Sequence, residues 1–136
     1  MKLISLRIIT ADVNRLAGFY EKVTGTEALR YTDDFAEIKT PVATLAIGST
    51  RTLQLFGGEE IAEAAANRTA IIEFLVDDVD AVFERLKDDG SIPVVQEPAT
   101  MPWGNRSLLF RDPDGNLVNF FTPVSEEAVA KFRAYF

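Results

Sequence analysis

Residues 3–9, LISLRII, are apolar except at Ser5 and Arg7, which predicts a strand with one apolar and one mixed face. Asp12 is placed to cap a helix in which Leu16, Phe19, Tyr20 and Val23 recur at helical spacing, and Gly25 ends it. Short strands are predicted at 28–32, 35–39 and 42–47, with Asp33-Asp34 and Thr40-Pro41 marking turns. RTLQLFG, 51–57, alternates and predicts a further strand; GEEIAEAAA, 58–66, reads as a short helix or a linker. The pattern then restarts. AIIEFLV, 70–76, is a strand, and Asp78 caps a helix carrying Val79, Val82, Phe83 and Leu86 that ends at Gly90. Strands follow near 93–97, 105–111 and 116–122. A last helix, 125–135, opens at Ser125 with Glu126 and Glu127 in its first turn.

The order β-α-β-β-β therefore occurs twice, and the repeat is visible in the residues. DVNRLAGFYEKVTG (12–25) parallels DVDAVFERLKDDG (78–90). The preceding strands align so that Ser5 matches Ile71 and Arg7 matches Glu73. The predicted fold class is α+β: two tandem βαβββ modules forming a curved mixed sheet, or partial barrel, around a cleft. Module 1 spans about 1–57 and module 2 about 69–123, with a linker at 58–68 and a C-terminal helix at about 125–136, all in one domain. Like halves favour a ligand site at their junction.

Composition narrows the chemistry. The chain has 136 residues, no cysteine and no histidine. Disulfides and thiolate or imidazole metal sites are excluded, and any metal would need oxygen donors, which favours hard ions. The formal net charge of −7, with no Lys/Arg cluster, argues against nucleic acid and anionic membrane surfaces as partners. The N-terminal stretch MKLISLRIITADV, broken by Arg7, reads as a strand and not as a signal peptide, and no apolar run approaches a membrane span. A cytoplasmic location is expected, in keeping with the absence of cysteine.

DVNRLAGFYEKVTG, EFLVDDVDAVFERL and LLFRDPDGNLVNFF, set in two βαβββ halves, resemble the vicinal oxygen chelate superfamily. This groups glyoxalase I, bleomycin resistance proteins and extradiol dioxygenases, and the resemblance covers roughly 1–123. Metal-dependent members place four ligands in the cleft. The matching positions here are Ser5, Gln54, Ile71 and Asn119, which offer no charge and no imidazole. The resemblance is thus to a bleomycin-resistance-like member without the metal ligands. It implies no metal and no cofactor, a homodimer, and binding of an aromatic or amphipathic drug or toxin in place of dioxygenase or glyoxalase I chemistry.

Strand alternation puts Arg7, Phe56, Glu73 and Phe121 on the same faces as the four matched positions. Arg7 and Glu73, equivalent in the two halves, are expected to pair, either as an ion pair fixing strand register or with one of them also meeting a ligand. Glu73 is the candidate general base. Gln54 and Asn119 are amides that could orient a polar ligand group or bond within the interior. Trp103 offers a stacking wall, or a core or dimer contact; Arg106 an anion contact, or a solvated strand arginine. DPDG (112–115) reads as a turn, and Asp33-Asp34 and Glu59-Glu60 as solvated charges. Three functions remain open: small-molecule binding without metal, a lyase or isomerase using Arg7, Glu73 or a hard metal ion, and a structural or regulatory domain.

Overall fold

The computed structural model describes all 136 residues. The chain divides into two compact units: Met1–Asn67 with Pro113–Gly115, and Arg68–Asp112 with Asn116–Phe136. Each carries one four-stranded sheet with the same strand order.

In the first unit, β1 (Ser5–Thr10) leads into α1 (Val13–Thr24), followed by β2 (Leu29–Thr32), β3 (Phe35–Lys39) and β4 (Thr44–Ser49). The sheet order is β1-β4-β3-β2, with β1 parallel to β4 and the other pairs antiparallel. Helix α1 starts because Asp12 accepts the Arg15 amide at 3.1 Å. It stops at Gly25, whose φ of 71° lets its N–H reach the Glu21 carbonyl. Its buried stripe, Leu16, Tyr20 and Val23 among others, packs on β3 and β4, where Ala36, Ile38, Leu45 and Ile47 are buried.

The second unit repeats the plan with β5 (Ile71–Leu75), α2 (Val79–Leu86), β6 (Val94–Thr100), β7 (Asn105–Arg111) and β8 (Leu117–Pro123), in the order β5-β8-β7-β6. Asp78 caps α2 through the Ala81 amide at 3.0 Å. Beneath α2, Phe110 and Phe120 meet edge to face at 5.0 Å, and Phe74 meets Phe120 at 5.3 Å. Helix α3 (Glu126–Phe132) follows, capped by Ser125. Gly104 allows its close approach: a Cβ there would lie 2.6 Å from the Ser125 Cβ and 3.2 Å from that of Ala128. No helix is long and apolar enough to cross a membrane.

Two elements differ from the sequence expectation, and at 58–66 one of the two alternatives falls away. Residues 51–57 form no strand; Thr50–Gln54 is a 3-10 turn. Ser49 caps it by accepting the Arg51 amide, Asp34 binds both the Ser49 hydroxyl (2.8 Å) and the Arg51 guanidinium (2.6 Å), and the chain then turns through Gly57 and Gly58 at positive φ. Local side-chain bonds outcompete the alternating pattern, and of its apolar residues Leu53 is buried whereas Leu55 is 97 % exposed. Asp34 is thereby a bonded group and not simply a solvated charge. Residues 58–66 hold no helix, and Ala65 there has a φ of 58°. Helix α2 ends at Leu86, ahead of Gly90, because Asp89 turns the chain by accepting the Ser91 amide and hydroxyl.

Candidate functional site

Helices α1 and α2 each cover one face of a sheet, and most of the candidate residues lie on the other, onto which α3 also packs through Phe132 on Phe121. In the second unit the ladder aligns Glu73 with Asn119, Asn119 with Leu109, and Leu109 with Gln96, so these four form one row across β5, β8, β7 and β6. They share the face opposite Ile72, Val118 and Phe110. Asn119 is 8 % exposed. Its Nδ2 donates to the Glu73 carboxylate at 2.7 Å, and its Oδ1 is buried without a partner. Because an ionised carboxylate only accepts, the amide orientation is fixed: nitrogen toward Glu73, oxygen left over. Gln96, about 10 Å away across two strand spacings, has a buried amide nitrogen that also lacks a partner. Buried polar atoms are nearly always paired, so an unpaired acceptor and an unpaired donor in one row stand out.

The DPDG hairpin sets this register. Asp112 is buried, and its two oxygens accept the backbone N–H and the side-chain amide of Asn116 at 2.9 and 2.8 Å. Gly115 completes the turn at a φ of 81°. The turn is therefore clamped by a buried carboxylate and fixes which face Asn119 takes. Phe121, two residues on, is buried against Phe132 of α3 at 5.2 Å.

In the first unit, the equivalent of Glu73 is Arg7. Its guanidinium carbon lies 5.0 Å from the Phe35 ring centre and 5.1 Å from that of Phe56. Arg7 and Glu73 each find partners inside their own unit. Both are exposed and not buried.

The remaining sequence candidates fall elsewhere. Gln54 lies exposed in the 3-10 turn, donating to Glu59 at 3.3 Å. Arg106 alternates onto the face that carries α2, where it grips Asp80 through two bonds of 2.8 and 2.9 Å and holds that carboxyl below its ordinary range. Trp103 stands 67 % exposed in the loop between β6 and β7. Gln96 escaped the sequence reading because its partner strand, and hence its face, becomes evident only from pairing.

A family model for the glyoxalase/bleomycin resistance protein/dioxygenase superfamily matches residues 2–120. The chain belongs to this superfamily. Among curated proteins, the uncharacterized protein YraH of Bacillus subtilis (strain 168) is 26 % identical over 125 residues, covering 89 % of this chain and 98 % of YraH. Among solved structures, a glyoxalase/bleomycin resistance protein/dioxygenase from Nocardioides has a TM-score of 0.75 at 24 % identity, covering 93 % of this chain and 85 % of that one. A family enzyme from Burkholderia phytofirmans PsJN has a TM-score of 0.78 at 18 % identity, covering 91 % and 100 %. At these identities the structural likeness shows the fold.

Superfamily membership raises the question of a metal, and the donor set does not fit one. Ser5 pairs with Thr44 as Ile71 pairs with Leu117, so the residue matching Asn119 in the first module is Ala46, opposite Arg7, and not Gln54. The four positions are then Ser5, Ala46, Ile71 and Asn119: one hydroxyl, two hydrocarbons and one amide. No group of three or more carboxylates converges anywhere in the structure. Hard cations require several oxygen ligands, which these side chains do not supply.

Proposed function

We propose that this superfamily member binds a small aromatic or amphipathic molecule without a metal ion, and sequesters it as a drug- or toxin-binding protein rather than converting it. The observation that carries this reading is Asn119: 8 % exposed, its amide nitrogen fixed by Glu73, its oxygen buried without a partner. An unpaired acceptor at such a site costs roughly 1–3 kcal/mol. A ligand donating one hydrogen bond to Asn119 and accepting one from Gln96 removes that cost, while Leu109 and Leu117 on the same face supply apolar contact. Glu73 acts here as a positioning residue that orients the Asn119 amide.

The protein is proposed to act in the cytoplasm as a homodimer. Exposed apolar side chains on and just before the edge strand β1, Leu3, Ile4 and Leu6, support an association surface. Native mass spectrometry with metal analysis tests the reading. The expected result is a dimer that retains added or co-purified organic ligands at no stoichiometric metal. Stoichiometric divalent metal surviving desalting overturns it.

A further inference from the structure

From the first unit we infer an anion anchor: Arg7, set over the rings of Phe35 and Phe56, binds the carboxylate of an aromatic acid. The inference rests on the small-molecule reading but not on the Asn119 row.

Arg30, Arg51 and Arg106 each contact a carboxylate at 2.6–2.8 Å. Arg7 contacts two rings instead, at 5.0 and 5.1 Å, and makes no ion pair. The guanidinium carries no carboxylate of its own, and its N–H donors match a carboxylate bidentately. The fold builds the seat. Gly48 lies beside the Arg7 stem, where a Cβ would make ordinary contact with the Arg7 Cδ at 3.8 Å and press on the Thr52 hydroxyl at 3.3 Å. Tyr31 extends the aromatic wall, its ring 5.7 Å from that of Phe35. Phe56 is 59 % exposed, a ring surface available to a second ring. The charge count selects the ligand. Glu37 lies in the same row as Arg7, across Ala46, and faces Lys39 at 3.9 Å, which leaves the single charge of Arg7 to be balanced. A monoanionic arene carboxylate fits that balance, whereas a phosphate dianion on a chain of net charge −7 does not.

Calorimetric titration of the purified protein with 2-naphthoate, 2-naphthamide and phenyl phosphate tests this, with Arg7→Gln, Phe56→Leu and Asn119→Leu variants. The expected result is binding of 2-naphthoate roughly tenfold tighter than the neutral amide. Arg7→Gln should erase that preference and Phe56→Leu should weaken 2-naphthoate several-fold, while Asn119→Leu reports which of the two sites the acid occupies. Equal affinity for acid and amide, preference for phenyl phosphate, or full 2-naphthoate binding by Arg7→Gln overturns the anchor. Loss of 2-naphthoate binding in Asn119→Leu alone assigns the site to the amide row, again overturning the anchor but sparing the small-molecule reading. Because Arg7 is exposed, unchanged thermal melting of Arg7→Gln will separate lost binding from lost folding.

Discussion

Replacing Asn119 with leucine sets two terms of similar size against each other. The bond from Nδ2 to Glu73, 2.7 Å long, is lost; a bond to a charged acceptor is worth about 1.5–3 kcal/mol. Glu73 is exposed, so its carboxylate regains water when the amide goes, which puts the loss at the lower end of that range. In the other direction, the substitution removes a buried oxygen with no partner, a burden of about 1–3 kcal/mol, and substitutes a side chain of similar volume. The expected net change is within about 1 kcal/mol of zero, with an unchanged m-value, in urea unfolding followed by far-ultraviolet circular dichroism. Far-ultraviolet signal is the right probe because Trp103 is already 67 % exposed in the folded state. A loss beyond about 2.5 kcal/mol would show that the oxygen is satisfied in the folded protein and would refute the site as drawn.

Asp112→Ala removes the buried clamp on Asn116 and should cost roughly 2–3 kcal/mol in the same assay, with ligand binding impaired through the register of β8. Gly104→Ala combines a φ of 92° with a Cβ 2.6 Å from that of Ser125; a cost of roughly 2–4 kcal/mol is expected, with faster amide hydrogen exchange across α3. Arg30 beside Glu21 holds that carboxyl below its ordinary range, as the Ser49 hydroxyl and Arg51 do for Asp34. A carboxyl lowered by folding stabilises above its unfolded pKa and ceases to do so as pH falls through its folded value. Glu21→Gln should therefore be less stable than the wild type at pH 7, by the roughly 0.2–1 kcal/mol of a surface pair, and the two should converge in acid; a difference that grows on acidification refutes the assignment.

The two βαβββ modules could be read from the sequence because each helix carries its own boundary signals: Asp12 and Gly25 for α1, Asp78 for α2. The strand at 51–57 could not, since alternation at Leu53 and Leu55 is overridden by bonds from Asp34, a residue 15 positions before Ser49. That error carried Gln54 into the site in place of Ala46. Asn119 came from the resemblance, as a position that carries a ligand in metal-dependent members, and the strand ladder then shows its face. Gln96 was missed because β6 pairs with β7 through register shifts that a single strand's pattern does not reveal. Symmetry between the halves made Arg7 and Glu73 equivalent but did not reveal their local partners, which are rings in one unit and an amide in the other.

The central claim is metal-independent recognition at Asn119. A ligand-observed NMR screen of small aromatic amides against chelator-stripped protein, run in parallel with Asn119→Leu, tests it most directly. Hits are expected that bind the stripped protein, are unchanged by added magnesium, manganese or nickel, and vanish in the variant. Hits that appear only after a divalent metal is restored, or that bind the variant equally well, would contradict it.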